Sequence, residues 1–178
     1  LARMLEGNER CVLKVVDLSA ESDSNVHAFL ETLVSRLEGF SHPSIVGPRT
    51  LLEHSGKLLV LSRYIPGPHL GELLVRRGRF PANVVLEIAR QLIDGLTQLE
   101  ARQCLHGDIA PSNVRLTRGG VAALVDAGIK PAVQPELLIQ AHGAPSRYDG
   151  IAPERIGTAS PSTVTSEIYA LGCLLWTL

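Results

Sequence analysis

The chain has 178 residues, 45% of them hydrophobic, and its 17 basic and 18 acidic side chains leave a net charge of −1. That apolar content can bury a sizeable core in one domain or a two-lobed one, and so even a balance gives no reason to expect a nucleic-acid or membrane surface. Cys11, Cys104 and Cys173 form no C-x-x-C pair, which excludes a disulfide framework and a cysteine zinc site and fits a reducing compartment.

From the start, "LARMLEGNERCVLKVVDL" predicts two strands joined by a turn at Glu6-Gly7-Asn8. Ser22 to Ser24 offer helix caps, and Val26, Phe29, Leu30, Leu33 and Leu37 then recur at helical spacing up to Gly39. "SIVGPRTLLEHSGKLLVLSRYI" predicts two more strands around a turn at His54-Ser55-Gly56. "PGP" at Pro66 to Pro68 breaks the pattern and divides the chain into a first part, 1–65, and a second, 66–178. In the second part, Leu70, Leu73 and Leu74 predict a short helix. Val85, Ile88, Leu92, Leu96 and Leu99 predict a long one. "GGVAALVDAG" predicts a turn and a buried strand ending in Asp126, and the Pro-, Gly- and Ala-rich stretch from Lys130 to Ile156 predicts a loop. No apolar run reaches membrane-spanning length and no signal peptide opens the chain. The expected setting is cytoplasmic, without direct membrane contact from this segment, in a parent protein that could itself be anchored.

Lys14 sits in "CVLKVV", apolar on both sides, so its ammonium must either snorkel to water or meet anions. Alone, it reads as an edge-strand lysine reaching solvent. It is not alone. His106, Asp108 and Asn113 have H-x-D-x-x-x-x-N spacing, and Asp126 follows in the triplet Asp126-Ala127-Gly128. Two carboxylates and an amide on adjacent loops supply hard oxygen ligands for magnesium while one acid faces an incoming hydroxyl. Each is an ordinary turn residue by itself, and the combined order carries the signal. No two of the six histidines pair at a metal-ligand spacing, and His106 is expected to hydrogen-bond backbone near the D-x-G turn.

Together these stretches resemble the eukaryotic-type protein kinase family, in its bacterial-like serine/threonine branch, with degenerate motifs. "VLKVV" resembles the family's V-A-I-K strand, "HGDIAPSN" its catalytic loop and "DAG" its D-F-G. "APE" at Ala152 to Glu154 is identical to the family triplet, "FSHPSIV" resembles the segment after its C-helix, and "EIYALGCLLWTL" the start of its F helix. The resemblance implies an α+β, two-lobed kinase-like fold, here a fragment. Residues 1–65 would be a small β-rich lobe carrying the C-helix, without the first strand and Gly-rich loop. Residues 66–178 would be a mainly helical lobe cut within helix F.

The resemblance further implies ATP-dependent phosphotransfer to Ser/Thr hydroxyls of a protein substrate, with Mg2+ or Mn2+ as the metal and no nucleic-acid partner. By it, Lys14 would grip the ATP phosphates with Glu31 of the C-helix holding it, and Asp108 would orient the substrate hydroxyl. Asn113 and Asp126 would hold the metal. Val12 would form the ceiling of the adenine slot, where the family usually has alanine, and Arg115 stands at its apolar floor, either to stack on adenine or to fill the slot. Ser62 would be a small gatekeeper ahead of a hinge at Arg63, Tyr64 and Ile65.

The chain departs from the family at several of these places. Gly107 replaces an arginine that reads activation-segment phosphate, Ala110 a lysine aimed at the transferring phosphate, and Ala127 the D-F-G phenylalanine. Glu167 stands for the aspartate that opens the F helix, and Ser146 is the one hydroxyl close before "APE". Two other readings accompany phosphotransfer. One is a pseudokinase, a nucleotide-binding or scaffolding domain acting on a regulated partner protein. The other is a small-molecule kinase of the aminoglycoside type, which shares "HGD" but not the "APE" and "YALG" stretches.

Overall fold

The computed structural model of the protein describes residues 2–3, 10–17, 23–133, 150–156 and 160–178. The expected turn at residues 6–8, the side chains of the capping serines at 22–24, and Ser146 lie outside the described residues.

Four strands form an antiparallel sheet in the order β1 (Ala2–Arg3), β2 (Arg10–Asp17), β5 (Lys57–Arg63), β4 (Pro48–His54). The β4–β5 hairpin closes on Ser55 (φ 51°) and Gly56 (φ 70°), the paired left-handed residues that a two-residue turn between twisted strands requires. Strand alternation then sets one face: Leu58, Val60 and Ser62 of β5 are buried, with Lys14 opposite Val60 and Val12 opposite Ser62.

Helix α1 (Asp23–Arg36) contributes Leu30 and Leu33 to the core, and Leu37 follows them. Phe29, expected in the same stripe, is 48% exposed. It lies one residue off the spacing of Leu30, Leu33 and Leu37, which is about 100° round the helix.

A continuous strand was expected from Ser44, but the chain breaks at Gly47-Pro48. Ile45 and Val46 form β3, which joins a second sheet of order β3, β7 (Ala122–Val125), β6 (Val114–Leu116). There β3 runs parallel to β7, pairing Ile45 with Leu124 and Val46 with Val125. Behind this sheet lie α2 (Leu70–Arg77) and α3 (Ala82–Glu100), and the expected stripe of α3 buries Ile88, Leu92 and Leu99. His69 caps α2 by accepting a hydrogen bond from the Glu72 N–H at 3.2 Å.

Where a loop was expected, Ile129–Val133 forms a short helix, α4. Pro131 falls in its first turn, where a missing N–H leaves no helical bond unmade. The last helix, α5 (Val164–Thr177), starts on a reciprocal cap between Thr163 and Ser166. One apolar cluster runs from Leu58, Val60 and Leu30 through Ile45 to Leu92, Leu124 and Leu174, joining the β-rich and helical parts of a two-lobed α+β fold. No helix among the described residues is long and apolar enough to cross a membrane.

Candidate active site

Strand β2 aims Lys14 from the buried side of the first sheet, two residues along from Val12. Its Nζ lies 2.6 Å from Asp126 Oδ2. The lysine therefore meets an anion rather than solvent alone. Asp126 follows β7 directly with φ 71°, a left-handed conformation uncommon outside glycine. The turn is pinned on both sides: the Ala127 N–H donates to Val46 O at 3.1 Å, and the Gly128 N–H to His106 O at 2.9 Å.

The loop after α3 is organised by His106, which is fully buried. Its Nε2–H donates to Val125 O (2.9 Å), and its Nδ1 accepts from the Asp108 N–H (3.2 Å), so the two bonds fix one neutral tautomer. Burial pushes its pKa down to about 4, against the opposing pull of the Val125 carbonyl and the Asp108 and Asp126 carboxylates. Lys14 also acts on this ring, so the charges at 14, 108 and 126 converge around it. A 3-10 turn at Pro111–Asn113 then folds the amide back. Asn113 Nδ2 donates to Asp108 O (2.9 Å) and to Asp108 Oδ2 (2.7 Å). The other carboxylate oxygen, Oδ1, receives Lys130 Nζ at 2.6 Å.

The loop is anchored from below by Glu167 at the start of α5, whose Oε1 accepts the Gly107 N–H at 2.5 Å. Burial drives this carboxyl up to about 7, opposed by the backbone N–H groups of Gly107 and His106. Gly107 itself has φ 75°, and a Cβ there would lie 2.1 Å from Pro131 Cγ, so α4 occupies the volume that a side chain at 107 would need.

Asn113 and Asp126 offer hard oxygen donors, one or two of which are what magnesium takes from protein when phosphates supply the rest. Among the described residues, no group of three His, Cys, Asp or Glu side chains could hold a metal alone.

Glu31 does not hold Lys14. It is 60% exposed, pairs with His27 Nδ1 at 3.5 Å, and lines an open groove of about 730 Å³ between α1 and β4. The α1 residue that meets the Asp126-Ala127-Gly128 turn is Leu33: a Cβ at Gly128 would lie 2.8 Å from Leu33 Cδ1. Two residues along a helix is about 200° of rotation, so the seating that buries Leu30, Leu33 and Leu37 turns Glu31 outward.

Around the adenine slot, Val12 and Ser62 face each other across the β2–β5 ladder. The buried Ser62 Oγ has no hydrogen-bond partner among the described residues. Arg63 donates from Nη2 to His42 O (3.2 Å), and Ile65 is buried with Val46 and Ala123, so the hinge backbone runs between two anchored side chains. Arg115 Nη1 donates to Gly67 O at 2.6 Å, so the floor arginine is tied to the linker carbonyl. Lys130 was not singled out from sequence, where its separation from Asp108 carries no signal.

A family model described as protein tyrosine and serine/threonine kinase matches residues 2–178. The serine/threonine-protein kinase PknD of Mycobacterium tuberculosis is 30% identical over 163 residues, 92% of this chain and 24% of that protein. The probable serine/threonine-protein kinase PknB of Lactococcus lactis is 24% identical over 172 residues, 97% of this chain and 27% of that protein. The chain thus spans about a quarter of the length of these curated relatives. A crystal structure of Rad53 in complex with AMP-PNP superposes with a TM-score of 0.70 at 19% identity, covering 95% of this chain and 40% of that one. With the family pattern running along nearly its whole length, the chain belongs to the protein tyrosine and serine/threonine kinase family.

Proposed function

We propose that the chain catalyses ATP-dependent phosphoryl transfer to Ser/Thr hydroxyls of protein substrates. In this reading, residues 1–65 cover the nucleotide and residues 66–178 present the catalytic loop. The observation that carries it is the convergence of the Lys14–Asp126 pair (2.6 Å) and the Asp108–Asn113 unit (2.7 Å) around one buried neutral histidine. Lys14 grips the phosphates of ATP, and Asp108 orients and accepts the proton of the substrate hydroxyl. Asn113 and Asp126 would hold magnesium or manganese, which neutralises phosphate charge when bound. Val12, Ser62 and the hinge at Arg63 to Ile65 border the adenine.

A second reading, nucleotide binding with a regulatory rather than catalytic output, is favoured by one observation: Glu31, the α1 acid expected at Lys14, pairs with His27. Calorimetric titration with Mg-ATP and a phosphotransfer assay of the full-length protein separate the two. Lys14→Ala and Asp126→Ala should each weaken Mg-ATP binding by about tenfold or more, and Asp108→Asn should abolish transfer while leaving binding in place. Binding without transfer by the wild type, under magnesium and manganese alike, would favour the regulatory reading.

A further inference from the structure

Phosphoryl transfer asks the protein for positioned cations, because charge spreads over the transferring oxygens and there is little covalent chemistry to perform. The loop from His106 to Asn113 supplies none: its histidine is held neutral, and position 110 is alanine. Lys14, beside Asp126, is taken up in the reading above by the phosphates of ATP and not by the carboxylate that meets the hydroxyl. A lysine nevertheless stands at Asp108, arriving from the opposite side.

We propose that Lys130 is the cation that neutralises the transferring phosphoryl group, delivered by α4 and not by the loop that carries Asp108. This rests on the phosphotransfer reading above. Its ammonium lies 2.6 Å from Asp108 Oδ1. The attacking hydroxyl must touch Asp108, and its oxygen must approach phosphorus to about 3–3.5 Å, so the phosphoryl oxygens fall within the swing of a four-carbon side chain anchored at that carboxylate.

The placement is built in rather than incidental. Ile129, beside it, is 4% exposed, and its N–H donates to Asp126 O at 3.2 Å. Pro131, on the other side, fills the space left by the missing side chain of Gly107. Position 107 without a side chain, position 110 without a charge and a lysine at 130 thus form one arrangement.

In the reaction the hydroxyl oxygen bonds to the γ-phosphorus and its proton passes to Asp108. The bond from that phosphorus to the bridging oxygen breaks, and its electron pair leaves with ADP. Lys130 keeps its proton throughout. A carboxylate oxygen has two lone pairs, so Oδ1 can hold Lys130 and still accept from the hydroxyl.

The test compares the full-length wild type with Lys130→Ala, Lys130→Arg and the double variant Lys130→Ala/Ala110→Lys. It measures transfer to a protein substrate and calorimetric Kd for Mg-AMP-PNP and for Mg-ADP. Lys130→Ala should lower kcat by roughly 10²–10³-fold, and should weaken Mg-AMP-PNP binding while leaving Mg-ADP binding unchanged, so that any preference for AMP-PNP over ADP is lost. Lys130→Arg should keep part of both, and the lysine at 110 should restore both. Unchanged kcat in Lys130→Ala overturns the proposal, and so does a raised kcat, which would make Lys130 a latch on Asp108. A wild type that binds nucleotide without transferring phosphate refutes the phosphotransfer reading alone. The AMP-PNP/ADP ratio then still decides for Lys130, an unchanged ratio in Lys130→Ala counting against it. A wild type that binds no nucleotide refutes both.

Discussion

Two residues of α1, Glu31 and Leu33, stand two positions apart; Leu33 takes the buried place its spacing predicts, and Glu31 does not take the one beside Lys14. Glu31 carries the right charge to hold Lys14, but charge does not determine which way a helix is turned. The buried stripe Leu30, Leu33 and Leu37 does, and it points Leu33 at Gly128. Truncating Leu33 to alanine should destabilise the protein by about 2–5 kcal/mol in urea unfolding, the range for emptying a buried leucine site. Glu31→Ala removes a 60%-exposed side chain whose one partner is a nearby histidine. It should change stability by less than about 0.5 kcal/mol and leave the Mg-ATP Kd unaltered. A several-fold loss of nucleotide affinity in Glu31→Ala would mean that α1 rotates when nucleotide binds.

Among the elements that sequence hid is α4, and its docking is testable through Gly107. Alanine at 107 would adopt φ 75° against its preference and drive a methyl into Pro131. Left-handed strain and overpacking together should make Gly107→Ala cost about 2–4 kcal/mol. Pro131→Ala removes the ring atoms nearest that methyl, so the double variant should recover at least about 1 kcal/mol relative to additivity in a double-mutant cycle. If the two changes simply add, α4 does not sit on the catalytic loop in solution. The same helix shows where legibility ended. The α3 stripe was readable because Ile88, Leu92 and Leu99 repeat at the helical period, and the β4–β5 hairpin because Ser55-Gly56 admits its turn. A two-residue strand such as β3 has no period to detect, and Pro131 beside Gly128 reads as loop unless its place in a first turn is known. Lys14, Asp108, Asn113 and Asp126 were singled out by order and spacing, and the fold pairs Lys14 with Asp126 and Asp108 with Asn113. The Lys130–Asp108 contact was not legible, because it exists only once α4 is folded against the loop.

At the scale of the whole molecule, the loop from His106 to Asn113 is a polar bridge between the β7 end of the second sheet and helix α5, held by two buried titratable groups of opposite tendency. His106, lowered from 6.5 to about 4, favours the folded state above the unfolded pKa. As pH falls from about 6.5 through 4, the unfolded chain takes up a proton that the folded one refuses, and stability is lost. Glu167, raised from 4.5 to about 7, behaves in the reverse sense. Its contribution is complete below about 4.5 and is lost as pH rises through 7, because the unfolded carboxyl ionises first. Between about 4.5 and 6.5 the two slopes oppose each other, so the wild-type contribution of the pair should be nearly flat there and then fall toward 7. Glu167→Gln keeps an oxygen acceptor for the Gly107 N–H but no longer titrates. Its stability should rise with pH from about 4 to 6.5 and then hold level, so that it gains on the wild type by on the order of 3 kcal/mol between pH 4.5 and 7. Urea unfolding of both proteins at half-unit pH intervals reads this difference directly, and groups common to both cancel in it. A pH-independent gap would show that Glu167 titrates as it does in water and that α5 does not bury the carboxyl against the catalytic loop.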